Sequence, residues 1–321
     1  MSGGLPFDPL RGALYTKDEL FHEFIMDDPD SYARCTDIEI LKYFFKNGKN
    51  PVRDSRASTL QALHDNSIAG CAAELLNRSN RTIAIMGGHG IDRNKDSYAR
   101  CAQLAYALAR KGCFLVSGGG PGAMEATHLG ASFVRRSLND LDAAIKELGR
   151  RATLPADYKN FVSPEGAIDR NIARALHDWL APAIQVADSL GDELGPSLGI
   201  PTWLYGYEPT TPFASHIAKY FQNSLREDGL VTAGVAGIVF MEGKAGTIQE
   251  VFQDATQNYY GTFCPMVFLS SPAESGHHYW EKALPVRALI ESLLGKHPQF
   301  PSKVLFTDSS EETANFLISQ F

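Results

Sequence analysis

The chain has 321 residues, 44% of them hydrophobic and 21% charged, a balance that excludes a disordered or collagen-like polypeptide and is long enough to bury a full core. A formal net charge of −7 argues against a general nucleic-acid binder, which is usually basic, but leaves room for a local basic pocket around one phosphate. No apolar run approaches the ~18 residues of a transmembrane helix, so no membrane partner is expected.

The N-terminus, MSGGLPFDPLRGALYTKDEL, lacks the basic-then-apolar order of a secretory signal. The five cysteines, Cys35, Cys71, Cys101, Cys113 and Cys264, are odd in number and without metal or redox spacing. Reduced thiols in a cytoplasmic protein are expected. Residues 1–78 carry no strand–glycine–helix signal. Helical apolar spacing at Leu20–Ile25, Asp37–Phe45 and Ser58–Leu76 predicts a helical extension, with turns at Asp27–Asp30 and Asn47–Pro51.

From residue 79 onward strands and helices alternate. Thr82–Met86 is a predicted strand followed by the turn Gly87-Gly88-His89-Gly90. A helix at Ser97–Lys111, a strand at Cys113–Val116, a turn at Gly118–Gly122 and a helix at Pro121–Phe133 follow. Residues 134–198 interrupt the alternation with helices at Leu138–Leu148 and Ile168–Leu190. The pattern resumes with a strand at Ile200–Tyr205, a helix at Phe213–Glu227, a strand at Ile238–Met241, a turn at Gly243–Gly246 and a helix at Thr247–Tyr260. A strand at Met266–Leu269, a helix at Trp280–Leu294, a strand at Val304–Phe306 and a helix at Glu311–Ser319 complete the chain. This order predicts an α/β domain over 79–321: a doubly wound parallel sheet with helices on both faces and a helical insertion at about 134–198.

Two glycine-rich turns carry the functional signal. Each follows an apolar strand and opens a helix, so both are expected on one edge of the sheet, converging on one pocket. Glycines there allow close backbone approach, and the helix N-terminus behind offers free N–H groups to an anion. The run SGGGPGAME has no Gly-Lys-Ser/Thr ending and is not a first-strand GxGxxG; the alternative to a ligand site is a tight turn made for packing. In EGKAGTIQE, Thr247 is predicted to open the helix, with Glu250 three residues on. A Thr-x-x-Glu capping box competes there with a catalytic carboxylate. Asp254, one helical turn further, either supports Glu250 or is solvated. Arg226, at the end of the helix predicted over Phe213–Glu227, either contacts ligand or satisfies helix carbonyls. His89 lines the expected crevice, Ser117 lacks the setting of a hydrolase elbow, and His277–His278 has no partners at metal spacing.

SGGGPGAMEA and EGKAGTIQE, in this order, resemble the LOG family of Rossmann-like nucleoside 5′-monophosphate phosphoribohydrolases, formerly described as lysine decarboxylases. The family signature Pro-Gly-Gly-x-Gly-Thr-x-x-Glu is matched at Gly243, Gly246, Thr247 and Glu250; Glu242 and Lys244 stand where it has proline and glycine. The family's catalytic arginine falls within about one residue of Arg226. The resemblance implies hydrolysis of the N-glycosidic bond to free base and ribose 5-phosphate, with Glu250 and Arg226 catalytic and no cofactor or metal. Substrate would be bound by Gly87, Gly88, Ser117, Gly118, Gly119, Gly120, Gly122, Met124, Gly243, Lys244, Gly246 and Thr247. A homodimer with a nucleoside 5′-monophosphate as its only other partner is implied. The rival is a non-catalytic nucleotide- or molybdenum-cofactor-binding carrier of the same fold. A decarboxylase would need a pyridoxal-phosphate lysine, for which no lysine has a convincing setting.

Overall fold

Seven strands form one all-parallel sheet in the order β4-β3-β2-β1-β5-β6-β7: β1 Thr82–Met86, β2 Phe114–Ser117, β3 Ser197–Gly199, β4 His216–Ile217, β5 Gly237–Phe240, β6 Met266–Leu269 and β7 Val304–Thr307. The computed structural model describes residues 4–49, 53–206, 208–272 and 279–321; His277–His278 and Pro51 lie outside them. Strand β1 pairs with β2 on one side and β5 on the other, with Ile83 opposite Leu115 and Ile85 opposite Val239. The chain therefore winds outward from the centre in both directions, and its switch point lies between β1 and β5. In sheets of this type that is where a crevice opens at the strands' carboxyl ends.

Both faces of the sheet are covered, as the unbroken burial of β1 requires. Ile83 and Ile85 join one apolar cluster with Leu115, Val239 and Val267, while Ala84 and Met86 join the other with Val116, Ile238 and Phe240. The helices are α1 Lys17–Leu20, α2 Thr36–Lys46, α3 Ser55–Leu76, α4 Asp96–Arg110, α5 Ala123–Ser132, α6 Leu138–Leu148, α7 Arg170–Leu190, α8 Asn223–Ala233, α9 Ala245–Tyr260, α10 Val286–Leu294, α11 Phe300–Lys303 and α12 Ser310–Ile318. None is long and apolar enough to cross a membrane, among the described residues.

Four expected elements are corrected. The helix at Leu20–Ile25 is instead the end of α1 and a turn, in which Glu23 reverses the chain at φ 72°. The strand at Ile200–Tyr205 is a loop, and β3 lies just before it; Ile200 and Trp203 gave an apolar signal because the loop is buried. Residues 213–221 are irregular apart from β4, so the helix begins only at Asn223. This stretch is buried on nearly every side, which hides the periodicity that tells a strand from a helix. The helix expected over Trp280–Leu294 is broken at Pro285 into a π turn, Tyr279–Ala283, and α10.

The N-terminal segment packs on this same domain and shares its larger core cluster through Phe7, Tyr15, Ile38, Phe44 and Ile68. It closes the sheet edge, because Tyr15 and Ile217 exchange backbone hydrogen bonds of 3.0 and 2.9 Å. It also supplies two buried carboxylates. Asp37 accepts from Lys219 Nζ at 2.7 and 2.9 Å, from Trp203 Nε1 at 2.7 Å and from the Thr210 hydroxyl at 3.0 Å. Asp65 accepts the backbone N–H groups of Phe221 at 3.0 Å and Gln222 at 2.8 Å. The residue before α8, Gln222, offers no side-chain cap; Asp65 instead fixes the two residues that lead into the helix.

Candidate functional site

The loops after β1, β2 and β5 meet over the switch point around a cleft of about 520 Å³, the size of a small-molecule site. Of the residues singled out in the sequence, Gly87, Gly88, His89, Gly118, Met124, Arg226, Gly243, Lys244, Gly246, Thr247 and Glu250 line it together. The first loop and the β5–α9 turn touch directly, Gly88 N–H donating to Glu242 O at 3.3 Å.

Ser117, Gly119, Gly120 and Gly122 are not on the cleft wall. The Ser117 hydroxyl is fully buried, within hydrogen-bond reach of His128 Nε2 at 2.8 Å and Met124 O at 3.1 Å. His128 continues to Ser197 at 2.9 Å, and burial pushes its imidazole down to about 3. This Ser–His contact is thus an internal brace away from the cleft wall. The other three glycines belong to a turn packed against the protein itself. Gly119 and Gly122 adopt φ +70° and +69°, where a side chain is strained. A methyl at Gly122 would lie 2.5 Å from Gly88 O, and one at Gly120 3.2 Å from Glu208 Oε2.

Arg226 reaches the cleft because Gly118 has no side chain; a methyl there would lie 2.4 Å from the guanidinium. The arginine is the fourth residue of α8, near its start. Its expected position at a helix C-terminus, satisfying carbonyls there, is corrected. Nε donates to Ile200 O at 3.2 Å, and a terminal nitrogen lies 3.7 Å from Glu250 Oε1. Asp65, capping the turn just before α8, fixes the end of the helix that aims this side chain.

The second turn has a different character. Helix α9 starts at Ala245 with Lys244 as the preceding residue and no side-chain cap. Thr247 is its third residue, folded back over Gly243, where a methyl would lie 2.1 Å from the hydroxyl. Glu250 is therefore not the acid of a capping box. It is 7% exposed, and the 3.7 Å approach of Arg226 is its one close polar contact among the described residues. Burial pushes the carboxyl up to about 7, against the pull of Arg226. Asp254 is neither solvated nor bonded to Glu250: it is buried, and it accepts from Asn258 at 3.4 Å. A methyl at Gly246 would meet no atom within 4 Å. Lys244 is exposed at the rim, and Glu242, in place of the signature proline, accepts the Ser271 N–H at 2.7 Å.

Sequence reasoning missed Glu208, Tyr205 and Tyr279 in the cleft wall. Glu208 Oε1 lies 3.2 Å from His89 Nδ1. Tyr279 donates to Gly243 O and steadies the second turn. Tyr205 and Glu208 lie in a loop, and Tyr279 opens a five-residue π turn too short to show a period.

The doubly wound sheet and its cleft define an α/β Rossmann-like fold. Residues 80–135, covering β1, the first loop, β2 and the triple-glycine turn, match the family model described as the SLOG cluster4 family, a grouping related to LOG-like proteins. No curated protein matches the chain.

Proposed function

We propose that the cleft hydrolyses the N-glycosidic bond of a nucleoside 5′-monophosphate to free base and ribose 5-phosphate. The observation that carries this reading is Glu250: a buried carboxylate, free of any capping role, beside an arginine and one helical turn from an open amide-rich turn. The uncapped N-terminus of α9 suits the 5′-phosphate, with Lys244 adding charge at the rim. Bound there, the phosphate carries the ribose over Glu250 and Arg226, and its binding energy positions the sugar. As the C1′–N bond breaks, its electron pair leaves with the base and positive charge develops on the ribose. The Glu250 carboxylate stabilises that charge and takes a proton from the water that adds to C1′. Arg226 favours the ionised form of Glu250 against the burial that disfavours it, and contacts the sugar hydroxyls.

Incubation with a panel of nucleoside 5′-monophosphates tests the reading: base and ribose 5-phosphate are expected in equal amounts. Saturable binding with no base released from any member would instead support a carrier, a reading favoured by the extra cation Lys244 in the turn. Assembly as a homodimer belongs to this proposal and is checked by light scattering at micromolar concentration.

A further inference from the structure

The cleft wall holds another, half-buried carboxylate, Glu208, beside those of Glu250 and Glu242. Glu208 comes from the loop after β3 and is 15% exposed, and its Oε1 lies 3.2 Å from Nδ1 of His89, itself 39% exposed. Its other oxygen lies near Gly120, in the turn that leads into α5. That position matters for the orientation of any nucleotide. A helix N-terminus attracts an anion, and at α5 the first N–H, that of Ala123, already donates to Gly88 O at 3.3 Å. The N-terminus of α9 has no such occupant, so the phosphate is directed to the second turn.

The order of groups along the cleft then follows from contacts. Thr247 and Glu250 lie on α9. Arg226 bridges from Glu250 to Gly118 and Met124. Glu208 stands beyond, its Oε2 near Gly120 and its Oε1 against the His89 imidazole, whose backbone packs on Gly122. With the phosphate at α9 and the ribose over Glu250, the base points at Glu208 and His89. This argument rests on the hydrolase reading and deepens it.

We propose that the Glu208–His89 pair supplies the proton that lets the base leave. A ribosyl–nitrogen bond breaks poorly when the base must depart as an anion, so a proton delivered to a ring nitrogen or carbonyl oxygen of the base lowers the barrier. The proton transferred is one held across the 3.2 Å contact between Glu208 Oε1 and His89 Nδ1. It passes to the base as the C1′–N electron pair moves onto the base; water adds to C1′ and its proton goes to Glu250. Exchange of both sites with solvent restores the starting state, and the sum is nucleotide plus water giving base plus ribose 5-phosphate. Burial pushes the Glu208 carboxyl up, while His89, Arg226, Lys219 and Lys159 around it pull it back. It is thus a proton carrier held among cations. Tyr158, 3.4 Å from His89 Nε2, braces the imidazole from the other side.

The test compares two substrates: a nucleoside 5′-monophosphate that the wild type cleaves, and 4-nitrophenyl riboside 5-phosphate, whose 4-nitrophenolate leaves without protonation. Glu208→Gln and His89→Gln are each expected to lose roughly 10²–10⁴-fold in kcat on the nucleotide, the range of general-acid catalysis. Each should stay within a few-fold of wild type on the nitrophenyl substrate, a split that a structural role would not produce. If both substrates fall together, or neither falls, in variants whose melting temperature matches wild type, the proton-donor role is overturned and the hydrolase reading stands. If the wild type cleaves neither substrate, the hydrolase reading fails and takes this inference with it.

Discussion

The two glycine turns look alike in sequence and differ in what their glycines are for. At the β2–α5 turn the missing side chains make room for the protein: Gly118 for Arg226, Gly120 for Glu208 and Met124, Gly122 for the first loop. At the β5–α9 turn Gly243 makes room for Thr247, but a side chain at Gly246 would meet no other part of the described residues. A glycine that the fold does not need, at an uncapped helix N-terminus, is the stronger sign of a ligand. The first turn is the frame that holds Arg226 and Glu208; the second is the seat.

Substitutions that exchange these roles put the comparison under strain. Gly246→Ala should weaken binding of a nucleoside 5′-monophosphate by about 2 kcal/mol, roughly 30-fold in Kd. Its melting temperature should hold or rise, since alanine is favoured over glycine within a helix by about 0.5–1 kcal/mol. Titration calorimetry beside a thermal melt reads both. Gly122→Ala should do the reverse at the level of the fold, costing about 2–3 kcal/mol of stability through positive φ and the collision with Gly88 O; denaturant unfolding measures it. If Gly246→Ala unfolds the protein and Gly122→Ala does not, the assignment of frame and seat is inverted.

A smaller effect is expected from the N-terminal segment. Asp65→Ala removes the acceptor for two backbone N–H groups at the start of α8, a loss of about 1–2 kcal/mol. It should also lower kcat/KM through Arg226, while Asp65→Asn, which keeps one side-chain oxygen, should recover part of both.

A separate effect lies in the pH dependence of stability. Glu250 sits near 7 in the folded chain against 4.5 for an ordinary glutamate. The folded state therefore holds this proton more tightly than the unfolded state. The associated stability is complete below about 4.5, declines as pH rises towards 7 and is level above. Glu250→Gln should accordingly gain on wild type between pH 5 and 7.5, by about 2–4 °C in Tm for each kcal/mol.

What was legible in the sequence follows the same division. The strands β1, β5 and β6 read clearly because each is a short apolar run bounded by turns, and EGKAGTIQE marked the open seat through its residue types alone. Arg226 was found but set at the wrong end of a helix. Residues 213–221 are buried on nearly every side, and uniform burial erases the periodicity of both helix and strand. Glu208 and His89 were not legible as a pair: they are far apart in the chain, each lies in an irregular loop, and only the β1–β2–β3 arrangement brings them together. Asp65 likewise sits within a helix whose pattern says nothing of the turn before α8 that it holds.

The central claim is that Glu250 acts on charge that develops only as the C1′–N bond breaks, and this is tested most directly by Glu250→Gln. Calorimetric binding of a nucleoside 5′-monophosphate and release of its base are measured on the same preparation. Affinity within a few-fold of wild type, together with loss of base release by roughly 10²–10⁴-fold, is the predicted result. Turnover near the wild-type rate would contradict it and leave Glu250 as a buried helix residue without a catalytic role.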